Sequence, residues 1–254
     1  MYKLRRKLLS QNFLHNRRLV DSLLRQSSIG KNDTILEIGC GKGILTEQLI
    51  EKAKQVIGLE IDPHWYAFLQ SKFHGISNLT LHPEDVFNFH LPVCPYKVFS
   101  NIPFNIEGRI VRYLIDAPNP PQDCYLVVMR ELAERLSGEH KENLFSLSHK
   151  PWFEFSIVHY FKRSDFTPFP KVDSVLWRFT ERSSPLLPFN KKGGYERFVI
   201  QIFKEGLSLF HNLKDGYRED KLLKSFNCIN INKKTKPGQL TPDKLLHLYI
   251  KLEG

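Results

Sequence analysis

The sequence predicts an α/β fold, in which a doubly wound, mostly parallel sheet is followed by a small all-α domain. Between residues 17 and 129, short apolar segments alternate with amphipathic segments of helical period, which is typical of βαβ units. A glycine-rich turn follows the first of the strand-like segments. Beyond residue 182 the periodic segments are helical only. The 254 residues suffice for one large domain with a smaller companion.

The elements of the sheet domain follow from this periodicity and from the placement of proline and glycine. In the first helix apolar side chains recur at helical spacing, and Pro63 suits a first helical turn because the N–H group that it lacks has no partner there. The predicted helices are Arg17–Gln26, Leu45–Ala53, Pro63–Phe73 and Gly108–Ile115. The predicted strands are Thr34–Ile38, Gln55–Ile61, Leu79–His82, Tyr96–Ser100 and Cys124–Met129. Their alternation favours right-handed crossovers within a parallel sheet.

The pattern changes after residue 150. Two aromatic-rich strands, Phe153–Phe161 and Val172–Phe179, are joined by a short segment, so we expect an antiparallel hairpin on the edge of the sheet. A linker begins at Ser183, and the helices predicted beyond it are Tyr195–His211, Lys221–Phe226 and Pro242–Lys251. The expected domains are therefore residues 1–181 and residues 182–254.

The composition excludes several classes of protein. With 41% hydrophobic and 25% charged residues, the chain is too apolar to be disordered. No apolar run approaches the roughly 20 residues of a membrane helix, and the basic N-terminus lacks the apolar run of a signal peptide. The four cysteines are far apart and the histidines show no metal-ligand spacing. We therefore expect no disulfide framework, no metal site and a cytoplasmic location.

The net charge of +10 is concentrated at the two ends of the chain. Residues 1–18 contain six basic side chains and no acidic one, and residues 182–254 contain 14 basic and 7 acidic ones. The intervening segment has an acidic excess. This distribution predicts a polyanionic partner that is held by the ends of the chain.

A glycine-rich turn and two acidic residues follow the first three predicted strands. Gly39 and Gly41, on either side of Cys40, permit a tight turn and a close approach of a ligand to the backbone. Glu60 follows the second strand, where a carboxylate can accept hydrogen bonds from both hydroxyl groups of a ribose. Asp85 follows the third strand, where it can accept a hydrogen bond from an adenine amino group. Together these features predict a ligand crevice at the carboxyl edge of the sheet.

The segment Ser100-Asn-Ile-Pro-Phe follows the fourth predicted strand. The side-chain oxygen of Asn101 and the carbonyl of Ile102 can accept the two protons of an exocyclic amine, which aims the nitrogen lone pair at an electrophile. Pro103 makes the turn rigid, and Phe104 offers a stacking face worth about 1–3 kcal/mol per base. The combination predicts a site for a planar base that carries an exocyclic amine.

These motifs resemble those of the ribosomal RNA adenine N6-methyltransferases. The similar segments are Ser10-Gln-Asn-Phe-Leu, Gly39-Cys-Gly-Lys-Gly, Leu59-Glu-Ile-Asp, Tyr96-Lys-Val-Phe-Ser-Asn-Ile-Pro-Phe and Phe166-Thr-Pro-Phe-Pro-Lys-Val-Asp-Ser-Val-Leu. The resemblance covers nearly the whole chain. It implies S-adenosylmethionine as the methyl donor, a class I methyltransferase fold and a small helical C-terminal domain.

The resemblance also implies the site residues. The implied cofactor-binding residues are Gln11, Asn12, Gly39, Cys40, Gly41, Glu60, Ile61, Asp85, Val86 and Asn101. The implied catalytic residues are Asn101, Ile102, Pro103, Phe104 and Phe166, with the two phenylalanines enclosing the target ring. The basic residues expected to bind RNA are Lys3, Arg5, Arg6, Lys7, Arg109, Arg112, Lys162, Arg163 and Lys171. We expect a monomer that binds ribosomal RNA and no membrane.

The family has two branches. One dimethylates adjacent adenines near the end of small-subunit rRNA, and the other methylates one adenine of 23S rRNA and confers macrolide–lincosamide–streptogramin resistance. Lys42, the segment Tyr96-Lys-Val-Phe and the loop that begins at Phe166 resemble the resistance branch, which we favour. The small-subunit branch and a non-catalytic RNA-binding relative stay open as alternatives.

The chain departs from the family pattern at two places. Glu107-Gly108 stands where the family commonly has Ser-Thr, which puts contacts to the RNA backbone in question. Phe104 stands where tyrosine is commoner, which keeps the stacking face but removes a hydroxyl group.

Overall fold

The computed structural model describes residues 12–253. The strands in this range are β1 (Phe13–Leu14), β2 (Thr34–Ile38), β3 (Gln55–Leu59), β4 (Leu79–His82), β5 (Lys97–Asn101), β6 (Asp123–Met129), β7 (Phe153–Tyr160), β8 (Phe166–Thr167) and β9 (Ser174–Glu181). The helices are α1 (Arg17–Gln26), α2 (Ile44–Lys52), α3 (Pro63–Lys72), α4 (Glu107–Ile115), α5 (Arg130–Ser137), α6 (Leu144–His149), α7 (Lys192–Phe203), α8 (Leu209–Leu213), α9 (Glu219–Cys228) and α10 (Pro242–Glu253).

Seven strands form one sheet in the order β4-β3-β2-β5-β6-β9-β7. Strand β2 pairs in parallel with β3 on one side and with β5 on the other, and β4 and β6 extend the parallel arrangement outward. The chain runs outward from β2 to β4 and then returns to β5, so the strand order reverses between β2 and β5. A ligand crevice is expected outside the carboxyl ends of the strands at such a reversal. The predicted parallel α/β sheet is confirmed.

The antiparallel strands lie at one end of the sheet, as predicted. Strand β9 pairs antiparallel with β6, with Trp177 opposite Leu126, and β7 is the outermost strand. The buried carboxylate of Asp123 accepts hydrogen bonds from Nε and Nη2 of Arg178, both at 2.7 Å. This bidentate pair joins β6 to β9 at the start of β6.

A second, two-stranded sheet joins β1 to β8 and has no counterpart in the predicted elements. Phe13 lies opposite Thr167, and Leu14 lies opposite Phe166. Beside this pair, the backbone N–H of His15 donates to the carbonyl of Asp165 at 3.3 Å. The segment that starts at Asn12 is therefore attached to the connection between β7 and β9.

The contacts divide the chain into two units. Within residues 12–253, the first unit contains residues 12–133 together with Ser156–Thr180, and the second contains Glu134–Phe155 together with residues 181–253. This division differs from the expected single boundary after residue 181, because Glu134–Phe155 groups with the C-terminal helices. Within the second unit, Nε1 of Trp152 donates to the carbonyl of Leu187 at 2.9 Å, a contact between residues distant in sequence.

The helix expected over Tyr195–His211 is two helices, α7 and α8. Gly206 adopts a φ of 65° between them, and the Ser208 hydroxyl caps the start of α8. The other predicted boundaries lie within two residues of those in the structure. Between residues 12 and 253, no helix combines the length and the apolar composition that a bilayer span requires.

Candidate active site

The turn after β2 forms one wall of the crevice. Gly39 and Gly41 adopt φ values of 75° and 53°, in the left-handed region that favours glycine. A Cβ atom on Gly41 would lie 2.6 Å from the ring of Phe13, so only glycine fits there. A Cβ atom on Gly39 would point into open space, which is where a ligand could approach the backbone.

Cys40 can offer only its main chain to a ligand at this turn. Its side chain is buried against Leu69 and Phe73, and its sulfur would lie only 2.7 Å from a Cβ atom on Gly58. Burial raises the pKa of the Cys40 thiol well above its usual range, so the thiol stays protonated.

Glu60 lies buried at the end of β3, where the sequence predicted a ribose-binding carboxylate. Its Oε2 atom accepts a hydrogen bond from the backbone N–H of Gly41 at 2.7 Å, and its Oε1 atom accepts one from Asp62 at 2.8 Å. Burial raises the pKa of Glu60, and the two backbone hydrogen bonds oppose that shift. Each oxygen retains a second lone pair, so the carboxylate that shapes the glycine turn can also accept from a ligand.

The sequence analysis missed Glu37, a buried carboxylate that lines the same cavity. Its Oε2 atom accepts a hydrogen bond from the hydroxyl of Thr46 at 2.6 Å. Its Oε1 atom is buried and has no hydrogen-bond partner among residues 12–253. Burial raises the pKa of Glu37 to about 7. The sequence signal that could have identified Glu37 is an acidic residue inside an otherwise apolar strand, two positions before Gly39.

The crevice continues from this cavity into a second one on the side of β4. The two cavities share three lining residues, which are Gly39, Ile61 and Pro103. Asp85 and Val86 line the second cavity, and Oδ1 of Asp85 accepts a hydrogen bond from the backbone N–H of Phe87 at 3.1 Å. The side chain of Ile61 is 52% exposed and offers an apolar surface where the cavities meet.

Asn101 lies at the end of β5, opposite the glycine turn. Its Nδ2 atom donates a hydrogen bond to the main-chain carbonyl of Asn12 at 2.7 Å. A carbonyl oxygen can only accept, so this contact fixes which side of the amide carries the nitrogen. The Oδ1 atom is thereby left to accept from a ligand. Phe104 is half-buried beside it, and Ile102 is buried, so only its backbone carbonyl is suited to a ligand contact.

The segment that begins at Asn12 covers the glycine turn. The ring of Phe13 lies 5.5 Å from that of Trp65, and the amine of Lys42 lies 5.2 Å from the centre of the Phe13 ring. Asn12 and Phe13 also line the first cavity. The predicted cofactor residue Gln11 lies outside the described residues.

Phe166 does not offer the stacking face that was expected of it. Its side chain is fully buried, its ring lies 5.3 Å from that of Phe161, and both belong to the main hydrophobic core. The pairing of Phe166 with Leu14 places it in this core. An aromatic side chain is compatible with either role, so the sequence pattern did not distinguish core packing from base stacking.

Glu107 is also a structural residue. It is buried at the start of α4 and accepts a hydrogen bond from the backbone N–H of Met129 at 2.9 Å. Its carboxylate thus joins α4 to the end of β6.

The predicted RNA-binding cations in the described range all follow the Asn101 motif in sequence and are exposed. On α4, the Arg109 guanidinium lies 3.7 Å from the centre of the Phe87 ring, and Arg112 is one turn further on. In the connection between β7 and β9, Arg163 forms a 3.1 Å ion pair with Asp173. Lys162 and Lys171 lie in the same connection. The predicted arm residues Lys3, Arg5, Arg6 and Lys7 lie outside the described residues.

No group of three or more His, Cys, Asp or Glu side chains in the described part of the chain is arranged to hold a metal ion.

Comparison with known proteins places these features in a family. The family model described as Ribosomal RNA adenine dimethylase matches residues 2–253. An rRNA adenine N-6-methyltransferase of Bacillus licheniformis is 33% identical over 236 residues, which cover 92% of this chain and 82% of that protein. A Ribosomal RNA small subunit methyltransferase A of Fusobacterium nucleatum is 29% identical over 267 aligned positions. The alignment covers 98% of this chain and 98% of that protein.

A solved structure extends the likeness to the fold. The crystal structure of the 23S rRNA methyltransferase ErmE superposes with a TM-score of 0.86 at 26% identity, covering 96% of this chain and 100% of that one. This likeness confirms the class I methyltransferase fold that the sequence motifs implied.

Proposed function

The chain belongs to the ribosomal RNA adenine dimethylase family, and we propose that it methylates N6 of an adenine in 23S ribosomal RNA and so confers macrolide–lincosamide–streptogramin resistance. It is an S-adenosylmethionine-dependent rRNA adenine N6-methyltransferase. The choice of 23S rRNA is supported by the resistance-type segments around Lys42, Tyr96 and Phe166 and by the likeness to ErmE over that whole chain.

The observation that carries the amine chemistry is the fixed amide of Asn101. The hydrogen bond from its Nδ2 atom to the Asn12 carbonyl leaves Oδ1 as an acceptor. An adenine N6 group carries two protons and is therefore a suitable donor to Oδ1 and to the Ile102 carbonyl. A keto oxygen at the same place would meet two acceptors and be repelled.

The crevice fits S-adenosylmethionine in three respects. The Glu60 carboxylate, which has lone pairs free of its two backbone hydrogen bonds, would accept from the two ribose hydroxyls, and the open backbone of Gly39 belongs to the same cavity. The apolar cavity at Ile61 and Val86, with Asp85 at its edge, suits an adenine ring and its amino group. At the other end, the buried Oε1 atom of Glu37 lacks a partner among the described residues and suits a cationic group of the donor.

Catalysis by this chain is proposed to consist of alignment and desolvation. When bound, S-adenosylmethionine supplies an electrophilic methyl group on a positively charged sulfur atom. Oδ1 of Asn101 and the carbonyl of Ile102 hold the two N6 protons, which turns the nitrogen lone pair toward the crevice. The half-buried Phe104 stacks on the adenine that has left its helix, and Pro103 fixes the turn that holds these groups.

The test is methyl transfer to purified RNA. With radiolabelled S-adenosylmethionine and deproteinised 23S and 16S rRNA, we expect label in 23S rRNA and a single reverse-transcriptase stop at one adenine. In a susceptible bacterial host, expression should permit growth at macrolide concentrations that stop the host, and expression of Asn101→Ala should not. Label confined to 16S rRNA would contradict the 23S assignment.

The small-subunit rRNA is the second candidate substrate. It is favoured by the Fusobacterium nucleatum relative, which aligns over 98% of both chains. In that case the label would appear at two adjacent adenines of 16S rRNA, and expression would give no macrolide resistance.

A further inference from the structure

The connection between β7 and β9 holds an exposed aromatic side chain on an anchored backbone. Phe169 is 68% exposed and is flanked by Pro168 and Pro170, which limit the backbone. Single exposed apolar residues are ordinary on protein surfaces, so exposure alone assigns no role. Three further observations indicate a role in binding for Phe169.

First, the loop is fixed at several points. Thr167, two residues before Phe169, pairs with Phe13. The backbone N–H of Lys162 donates to the Asp165 carboxylate at 2.8 Å, and Arg163 pairs with Asp173 across the loop. A side chain on such a loop is presented at low entropic cost, which favours its use in binding.

Second, the loop lies next to the Asn101 site. Asn12 directly precedes Phe13, the residue opposite Thr167, and the carbonyl of Asn12 accepts the hydrogen bond from Asn101. Two residues span at most about 7 Å, so Phe169 lies within that distance of Thr167 along the chain. A nucleotide chain whose target base is held at Asn101 passes close to this loop.

Third, the surroundings of the loop suit a polyanion that carries flat bases. Lys162 and Lys171 are exposed on the loop. At its C-terminal end the backbone N–H of Arg130 donates to the Asp173 carbonyl at 2.9 Å, and the Arg130 guanidinium lies 5.6 Å from the ring centre of Tyr160, which is 55% exposed. Cations interleaved with exposed aromatic rings are typical of single-stranded nucleic-acid surfaces.

We infer that Phe169 stacks on an unpaired nucleotide that flanks the target adenine in the RNA. This inference rests on the proposed function for the RNA substrate, and it adds a specificity-determining contact outside the methyl-transfer site. Phe166, in the same loop, is buried and supports the backbone, whereas Phe169 provides the face that a base can cover. The enzyme therefore requires an unstacked neighbour on one side of its target.

The experiment uses the full chain and an RNA fragment that contains the adenine mapped by reverse transcription. Phe169→Ala should weaken RNA binding by about 5- to 100-fold, which corresponds to one lost base–aromatic stack. Phe169→Trp should restore binding, and Phe169→Leu should not. Affinity for S-adenosylmethionine, measured by calorimetry, should not change. Val93→Ala is the control, because Val93 is 96% exposed in the same unit and lines neither cavity of the crevice.

Abasic substitutions in the RNA identify the stacked nucleotide. Each nucleotide that flanks the target is replaced in turn, and we expect one position at which wild type loses affinity while Phe169→Ala loses none further. Wild-type affinity in Phe169→Ala, or additive losses at every abasic position, would overturn the inference. If wild type transfers labelled methyl groups only to 16S rRNA, the proposed 23S function fails. The Phe169 variants and the abasic substitutions, repeated on the 16S fragment, then still decide the role of Phe169.

Discussion

The side-chain nitrogen of Asn101 donates to the main-chain carbonyl of Asn12 at 2.7 Å, across 89 positions of sequence. This hydrogen bond joins the motif that holds the amine to the segment that covers the glycine turn. Because the hydrogen bond fixes the direction of the amide, it predicts how substitutions of Asn101 change the rate of methyl transfer.

Asn101→Ala should reduce methyl transfer by roughly 10²- to 10³-fold, as expected for the loss of one oriented hydrogen bond in a transition state. The measurement is a single-turnover rate with saturating RNA and donor. Asn101→Asp should also be slow, because a carboxylate cannot donate to the Asn12 carbonyl. Calorimetry should show that cofactor affinity is largely kept. A near-normal rate for Asn101→Ala would show that the amide does not orient the amine.

Glu60→Ala should weaken cofactor binding by about 10- to 100-fold, because two ribose hydroxyls lose their acceptor at about 1–3 kcal/mol. Glu60→Gln is the matched variant, since it keeps one acceptor oxygen and should have an intermediate effect. Both are measured by calorimetry on protein whose folding is checked by circular dichroism. A folded Glu60→Ala protein with unchanged affinity would exclude the ribose assignment.

The raised pKa of Glu37 predicts that the stability of the protein depends on pH. Burial raises its pKa to about 7 from an ordinary value of 4.5, so the folded state binds a proton that the unfolded state has released. The stability that this protonated side chain contributes is fully present below pH 4.5. As the pH rises to about 7, the free energy of unfolding falls by about 3 kcal/mol in total. Glu60 shifts in the same direction. Because both residues contribute to the pH dependence, the part due to Glu37 is isolated by comparing wild type with Glu37→Gln.

Urea unfolding at pH 5 and pH 8 measures this effect. The free energy of unfolding should fall more between the two pH values in wild type than in Glu37→Gln. Equal falls in the two proteins would show that Glu37 does not titrate in this range.

Gly41→Ala should destabilise the protein more than Gly75→Ala. Both positions have positive φ, which costs a residue with a Cβ atom about 1–2 kcal/mol. Only at Gly41 would the new Cβ atom also meet a neighbour, the Phe13 ring at 2.6 Å, whereas at Gly75 it would meet open space. Thermal unfolding of the two variants gives the comparison, and equal midpoints would show that Phe13 moves aside without cost.

The salt dependence of RNA binding should distinguish the basic ends of the chain. Neutralising Lys3 and Arg5 should reduce the slope of log K against log salt by about 1.4 on single-stranded regions. Lys233 already pairs with Glu219 at 2.8 Å, so neutralising Lys233 and Lys234 should change the slope less. The opposite order of effects would place the RNA contact on the helical C-terminal unit.

The parallel strands and most of their helices could be predicted because their buried faces impose a period on the sequence. The places of Gly39, Glu60, Asp85 and Asn101 along the crevice could be predicted for the same reason, since each follows a recognisable strand. The pair β1–β8 could not be predicted, because two residues on each side carry no periodic signal.

Other features depend on contacts that are distant in sequence. Helices α5 and α6 received no prediction, although Asn143 caps α6 through a hydrogen bond from Ser146 that a sequence can suggest. The assignment of Glu134–Phe155 to the second unit depends on Trp152 packing near Tyr195. Local pattern does not determine such contacts.

The pairing of β1 with β8 affects the order in which a newly made chain becomes complete. The side chains at positions 39, 60, 85 and 101 are synthesised well before the strand at positions 166 and 167 exists. Until that strand emerges from the ribosome, the segment that begins at Asn12 lacks the strand pairing that helps to hold it over the glycine turn. The nascent chain thus acquires its ligand groups early and the strand that anchors their cover late.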